Sequence, residues 1–200
     1  MSGIVIETER LILRPLRSGD AARFLQLAGD WDVAKMTSDI PHPLTPAQAN
    51  DWLRGGGGDV RFAIEHGGAM IGGVGYFQTR AGWAELGFWL GRDYWGYGFG
   101  TEASKPVIRH GLEAGQKGFS SAHFVDNRAS GNLLRKLGFE SVGEMSMWCA
   151  ARGAEVAAIR LWLSPERARE LVGPVEPATV ASTRSFWPAR LGRWLSAHHR

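Results

Sequence analysis

Hydrophobic and polar positions follow two periods along the chain, and each period predicts one kind of element. In residues 8–16, apolar Leu11 and Leu13 alternate with arginines, as in a strand with one buried face. After Ser18 the apolar residues recur at a helical spacing, and the serine is placed to cap that helix. Strands are predicted for 8–16, 61–65, 69–78, 84–90, 119–125, 141–147 and 156–163, and helices after Ser18, after Thr45, and over 101–113 and 128–137.

The order of these elements indicates the fold class. A strand, two helices and three strands are followed by a helix, a strand, a helix and two final strands. A strand, helix, strand succession gives parallel neighbours, so we expect an α+β or mixed α/β sheet with at least one parallel pair. The helix over 101–113 contains Pro106, and it therefore either bends there or begins near Ser104.

Length and composition predict one globular domain. The chain has 200 residues, of which 44% are hydrophobic, and no apolar run is long enough for a membrane span. Its first residues include acids and lack the apolar core of a signal peptide. The single cysteine, Cys149, excludes an internal disulfide and fits a reducing compartment. We therefore expect a cytoplasmic protein.

The positive charge is concentrated at the end of the chain. The formal net charge is +3, and residues 173–200 contain Arg184, Arg190, Arg193 and Arg200 against a single acid, Glu176. The remainder, 1–172, is neutral overall, which argues against a nucleic-acid-binding face there. We predict a domain over 1–172 and a basic, aromatic extension over 173–200, made of a Pro-containing linker and a short amphipathic helix.

The most unusual stretch is 93–103, which reads DYWGYGFGTEA. Its three glycines, Gly96, Gly98 and Gly100, follow a strand pattern and precede a helical one. Unpaired N–H groups converge at the start of a helix, so this arrangement predicts an anion site. A glycine-rich turn without a ligand is the alternative. Neither the spacing of a dinucleotide fingerprint nor the G-K-[ST] of a Walker loop is present.

Three segments together resemble the GNAT N-acetyltransferases, and within them the RimJ/RimL branch. TERLILRPLRSGDA is similar to the opening of that branch, AELGFWLGRDYWGYGFGTEA to its strand, loop and helix start, and DNRASGNLLRKLGFESVGE to its N-x-x-S-x5-K-x-G-F segment. The family pattern [Q/R]-x-x-G-x-[G/A] falls on Trp95, Gly98 and Gly100, with Trp95 as a departure from it. Residues after 172 have no counterpart in the branch.

The resemblance implies a fold, a co-substrate and a reaction. The fold is a mostly antiparallel sheet, flanked by helices, that splays between two parallel strands and takes acetyl-CoA in the gap. A primary amine attacks the thioester directly. Backbone groups of one strand pair with the pantetheine arm and the helix start holds the pyrophosphate. The implied cofactor-binding residues are Phe88, Trp89, Leu90, Trp95, Gly96, Tyr97, Gly98, Phe99, Gly100, Thr101, Asn127 and Lys136.

Two residues are candidates for the acid and base steps. Glu85 begins the strand at the gap and is the candidate base, although an acid paired with an arginine on the strand face is equally consistent with the sequence. The resemblance implies that Ser130 hydrogen-bonds the leaving thiolate or orders a water there, and a serine also suits a helix start. The tyrosine that many family members use falls at Leu134 here. The sequence shows no spacing typical of a metal site, so no metal is expected.

The sequence thus predicts an acyl-CoA N-acyltransferase whose acceptor is a protein N terminus or a small molecule. An α-amine has a pKa of about 8 and a lysine about 10.4, so a site with modest base assistance favours the α-amine or another weakly basic amine. A CoA-binding module without turnover is one alternative. A protein that acts on nucleic acid or at a membrane through its extension is another alternative. Of the roles open to the extension itself, we expect that it docks within a homodimer.

Overall fold

The computed structural model describes residues 4–55, 59–80 and 82–174. Within them, eight strands form a single sheet in the order β1-β2-β3-β4-β5-β6-β8-β7. The strands are β1 (Ile6–Glu7), β2 (Ile12–Pro15), β3 (Asp59–His66), β4 (Ala69–Arg80), β5 (Trp83–Leu90), β6 (Gly118–Phe124), β7 (Glu140–Cys149) and β8 (Ala154–Leu163). The helices are α1 (Ala21–Ala28), α2 (Trp31–Ala34), α3 (Pro46–Arg54), α4 (Phe99–Glu113), α5 (Arg128–Lys136) and α6 (Pro165–Val172), with short 3-10 turns at Ser18–Asp20 and Arg92–Tyr94.

One parallel pair interrupts an otherwise antiparallel sheet. β5 and β6 run parallel because α4 carries the chain back between them, whereas the other neighbouring strands are antiparallel. The expected fold class, a mostly antiparallel mixed sheet with flanking helices, is confirmed. The parallel register covers Trp83, Ala84 and Glu85 of β5 against Gly118, Phe119 and Ser120 of β6.

The helix predicted after Ser18 is present as α1, but Ser18 does not cap it: Ser18 lies in a short 3-10 turn, and α1 follows Asp20 without a side-chain cap, so that predicted cap is wrong. Other helix starts do have the expected caps. At α3 the Thr45 hydroxyl accepts from the Gln48 backbone N–H, and the Gln48 side chain accepts from the Thr45 N–H, so the helix predicted after Thr45 is confirmed. α4 begins at Phe99, which is earlier than the sequence predicted. Pro106 lies well inside that helix, so the expected start near Ser104 is wrong. Gly98 adopts a left-handed conformation just before α4 and fixes the earlier start.

Three short elements escaped the sequence analysis. β1 has two residues and α2 has four, so neither is long enough for its pattern of apolar positions to repeat. α6 did carry a signal. The Ser164 side chain accepts from the Arg167 N–H, and Pro165 occupies the first turn.

The core lies on both faces of the sheet. On one face, α4, α5 and α6 bury residues such as Val107, Leu134 and Ala168 against the strands. On the other, α1 and α3 pack through Phe24, Trp52 and neighbouring apolar side chains. Side chains on β5 alternate between these faces, since Leu86 belongs to the first cluster and Trp89 to the second.

Candidate active site

The parallel strands diverge and leave a gap. The β5–β6 ladder ends at Glu85 and Ser120, although β5 continues to Leu90 and β6 to Phe124. A cavity of about 570 Å³ occupies this region and extends to the glycine loop, to the start of α5 and to the loop between α2 and α3. Strand ends that separate in this way expose backbone groups that a ligand can bind.

The glycine loop forms one wall of the cavity. Gly96 and Gly98 have φ values of 83° and 82°, a region in which glycine has no steric penalty. Gly98 is the N-cap of α4 and provides no side chain to the first helical turn. The N–H groups of Phe99, Gly100 and Thr101 therefore remain available to an anion.

Gly100, unlike Gly96 and Gly98, is needed for close packing between two helices. A Cβ atom at Gly100 would lie 2.5 Å from Leu133 Cδ1, so the missing side chain lets α4 approach α5 closely. This closeness brings the start of α5 to the same cavity, which Asn127, Ser130 and Lys136 also border.

Glu102, in the first turn of α4, is paired with Thr8 and Arg10 near the N terminus of the chain. Glu102 Oε1 accepts from the Thr8 hydroxyl at 2.6 Å and from the Arg10 N–H at 2.8 Å, and Arg10 Nε donates to Oε2 at 2.7 Å. Burial alone would raise the pKa of Glu102, but these hydrogen bonds and the Arg10 charge hold it below its usual value. Arg10 thus compensates a carboxylate that would repel an anion at this helix start.

The edge of β5 is partly occupied by side chains. The Ser121 hydroxyl donates to the Leu86 carbonyl at 2.9 Å, and Trp95 Nε1 donates to the Leu90 carbonyl at 2.8 Å. Phe88 lies between these two carbonyls, where β5 has already separated from β6. Trp95, which departs from the family pattern, therefore joins the loop to the end of the strand.

Glu85 has the features of both alternatives that the sequence left open, a carboxylate at the gap and an acid paired with an arginine. Its side chain borders the cavity, and its Oε2 lies 3.2 Å from an Arg160 nitrogen on β8. Burial raises the pKa of Glu85, while the charge and hydrogen bond of Arg160 and a hydrogen bond from Ser120 oppose that rise. A carboxylate with a raised pKa at a cavity wall is a candidate general base.

The start of α5 supplies the other predicted residues. Asn127 Oδ1 accepts from the Ser130 N–H at 3.1 Å, so Asn127 caps the helix. Among the described residues the Ser130 hydroxyl has no hydrogen-bond partner, and it borders the cavity. Leu134, at the position of the family tyrosine, is fully buried.

The predicted site residues come together with one exception. Glu85, Ser130 and eleven of the twelve residues expected to bind cofactor border the cavity. Tyr97 does not line it. This side chain is 63% exposed and stacks on Phe99, with the ring centroids 5.8 Å apart.

Sequence reasoning missed the opposite end of the cavity. Asp39, Trp52 and Arg61 line it there, from the loop after α2, from α3 and from β3. Asp39 Oδ2 accepts from Trp52 Nε1 at 2.9 Å, and burial raises the pKa of Asp39 to about 6. No local motif marks this aspartate, because long-range packing brings its loop to the cavity.

Two further findings concern the described part of the chain. Across 4–55, 59–80 and 82–174, no group of three or more His, Cys, Asp or Glu side chains is arranged to hold a metal ion. In the same ranges no helix combines the length and apolar character that a membrane crossing requires.

Comparisons with known proteins place the chain in a family. A curated relative, the uncharacterized N-acetyltransferase YoaA of Bacillus subtilis (strain 168), is 26% identical in an alignment 159 residues long that covers 74% of this chain and 90% of the relative. The fold is similar to that of a GNAT-family acetyltransferase from Bacillus anthracis, with a TM-score of 0.72 and 17% identity over 82% of this chain and 99% of that one. It is also similar to RimL, the ribosomal L7/L12 alpha-N-protein acetyltransferase in complex with CoA, with a TM-score of 0.70 and 18% identity over 80% and 98% of the two chains. Residues 10–140 match the acetyltransferase (GNAT) domain, and the chain therefore belongs to the GNAT family of acetyltransferase enzymes.

Proposed function

We propose that the protein transfers the acetyl group of acetyl-CoA to a primary amine, as a RimJ/RimL-like N-acetyltransferase. The observation that supports this most strongly is the early end of the β5–β6 ladder at Glu85, beside a helix start without a side-chain cap. The first feature suits an extended pantetheine arm and the second suits a diphosphate, so the residues present fit the co-substrate.

The roles of the side chains follow from their positions. Acetyl-CoA supplies an activated thioester carbonyl. Glu85 takes the proton from the acceptor amine, directly or through a water, and its raised pKa suits that task. The Ser130 hydroxyl donates to the departing sulfur or orders a water there, while Asn127 holds the helix start in place. Phe88 and its neighbours on the open edge of β5 orient the pantetheine arm, and Lys136 contributes charge at the rim.

The acceptor class that we propose is a protein N-terminal amine or a small, weakly basic amine. RimL, one of the structures with a similar fold, is an alpha-N-protein acetyltransferase. A single carboxylate partly neutralised by Arg160 gives modest base assistance, which suits an amine with a pKa of about 8 better than a lysine. A cytoplasmic location and a homodimer formed through residues 173–200 remain predictions from the sequence.

Thiol release from acetyl-CoA tests the proposed reaction. We expect the full chain to release thiol with at least one acceptor from a panel of peptides with free N termini and small amines. Glu85→Gln should lower kcat by about a hundredfold and leave CoA affinity unchanged, because it removes the base and keeps the shape. Ser130→Ala should have a smaller effect, since a water can replace the hydroxyl.

A Glu→Gln substitution at an exposed position is the control for Glu85→Gln. Glu170→Gln on the exposed side of α6 should keep the wild-type rate. If the chain binds CoA but releases no thiol with any acceptor, the reaction is wrong and a CoA-binding module is correct. Full activity in Glu85→Gln would place the base elsewhere.

A further inference from the structure

Gly87 lies inside β5 without a packing reason for its missing side chain. Its φ is not positive, so the backbone there does not require glycine. A Cβ atom at Gly87 would meet nothing within 4 Å beyond its chain neighbours. Glycine is unfavourable inside a strand, because it loses more conformational freedom than other residues and has no side chain to pack. A glycine that neither the backbone nor the packing requires is a candidate for a role in binding.

The glycines of the neighbouring strand differ from Gly87 in this respect. On β4, a Cβ atom at Gly72 would lie 2.3 Å from the Trp89 carbonyl oxygen, and one at Gly75 would lie 2.3 Å from the Val60 carbonyl oxygen. Close approach of the adjacent backbone therefore requires both of these glycines. Gly75 is the register partner of Gly87. The two strands thus lack side chains at adjacent positions, and of this pair Gly87 has the open space.

This open space lies beside the proposed base. Glu85 and Gly87 are two residues apart in a regular strand, so they face the same side of the sheet about 7 Å apart. Both border the cavity, and Gly87 is exposed. The β5–β6 ladder ends at Glu85, so Gly87 lies where the gap begins. An amine that approaches Glu85 along this face therefore passes over Gly87.

The pantetheine arm would not compete for this space. An arm that pairs with the backbone edge of β5 lies in the plane of the sheet, as a further strand would. A side chain at Gly87 would project from the face that carries Glu85 and Trp89, the face on which α1 and α3 pack. The space above Gly87 is therefore left for the acceptor.

We propose that Gly87 determines acceptor specificity: its missing side chain leaves room for a substituent on the carbon that bears the reactive amine. This inference rests on the proposed acetyl transfer, and it defines the acceptors as amines on a substituted carbon, such as an amino-acid amide or a peptide N terminus with a side chain. An amine at the end of an unbranched chain would leave the space above Gly87 empty. Burial of an apolar substituent there favours the substituted acceptor.

Two amides that differ in one substituent test this role without requiring turnover. L-Leucinamide and glycinamide share the amine and the amide group, but L-leucinamide also carries an isobutyl group beside the amine. By NMR titration, we expect the CoA-saturated full chain to bind L-leucinamide about tenfold more tightly than glycinamide. Gly87→Val should weaken L-leucinamide binding at least about tenfold and change glycinamide binding by less than about twofold, because the new side chain fills the space of the isobutyl group.

Thermal stability and CoA binding separate acceptor specificity from a structural role. Since a Cβ atom at Gly87 would meet nothing within 4 Å, Gly87→Val and Gly87→Ala should keep the wild-type Tm or raise it. Both variants should bind CoA with an affinity within about twofold of the wild type. Gly87→Ala adds a single methyl group, so its L-leucinamide affinity should fall between those of the wild type and Gly87→Val.

Gly19→Val is the matched control. Gly19 is also exposed, its φ is not positive, and a Cβ atom there would meet nothing within 4 Å, but it does not border the cavity. This variant should bind both amides as the wild type does.

Several results would overturn the proposal. It is wrong if a folded Gly87→Val binds L-leucinamide as tightly as the wild type, or if it loses affinity for both amides equally. A large fall in Tm in both Gly87 variants would make the glycine structural, and a loss of CoA affinity would assign it to the co-substrate, so each also overturns the proposal. A wild-type CoA complex that binds no L-leucinamide has the same consequence. Failure of the acetyl transfer would appear separately, as amide binding that depends on Gly87 without thiol release for any acceptor.

Discussion

Glu85 shows how two opposing influences set the chemistry of a single residue. Burial disfavours its charged form, and Arg160 at 3.2 Å favours it. The outcome is a carboxylate with a raised pKa that still has an ionic partner. As the proposed base, Glu85 would be more basic than a solvated glutamate, while Arg160 still stabilises its charged form.

Removing the partner should shift the pH dependence in a known direction. In Arg160→Met, burial acts without the opposing charge, so the pKa of Glu85 should rise further and the acidic limb of kcat against pH should move to higher pH. The measurement is a rate profile between pH 5 and 9. Arg167→Met, which removes an exposed ion pair with Glu140, should leave the limb unchanged. If the acidic limb of the pH profile does not move in Arg160→Met, the limb does not arise from the titration of Glu85.

The elements differ in how far the sequence alone predicts them. The loop over 96–101 could be identified because its geometry is local: glycines with positive φ precede a helix start. The separation of β5 from β6 has no local sequence pattern and was expected only from the family resemblance, and its position after Glu85 is known only from the structure. Asp39 could not be predicted at all, since the connection between β7 and β8 positions its loop. Local backbone chemistry is readable from sequence, whereas contacts between distant segments are not.

The anion site at the start of α4 is tested best at Gly96. Valine at Gly98 would be a poor probe, since its φ of 82° strains any branched side chain. Gly96 also has a positive φ, but a Cβ atom there meets nothing within 4 Å, and Asn and Asp tolerate this conformation. We expect Gly96→Asp to weaken CoA binding about tenfold relative to Gly96→Asn, because only the carboxylate repels a diphosphate. Calorimetric titration with CoA gives both affinities.

The two variants share any backbone strain, so their comparison isolates the charge. Raising the salt concentration should narrow the difference between them, since screening weakens an exposed interaction. Equal CoA affinities in the two folded variants would place the pyrophosphate away from this loop.

At the scale of the whole molecule, α6 closes the described core. Ala168 and Val172 are buried with residues of α4, and Arg109 of α4 donates to the carbonyls of Val172 and Pro174. The predicted linker and amphipathic helix of the extension lie almost entirely beyond the described residues. The boundary predicted at 172 therefore remains a prediction, and these hydrogen bonds place the better cutting point just after it.

Truncation after Pro174 should separate the catalytic domain from the extension. All the residues assigned to the cavity precede this point, and the hydrogen bonds of Arg109 are preserved, so CoA affinity and thiol release should stay within about twofold of the full chain. The oligomeric state or the solubility should change, because the truncation removes Phe186, Trp187 and Trp194. Calorimetry with CoA, a thiol-release assay and light scattering measure these properties.

A second truncation after Ser164 should unfold the protein, since it removes the buried side chains of α6. Loss of CoA binding in the first truncation would mean that the extension belongs to the active site, and that the division at 172 is wrong.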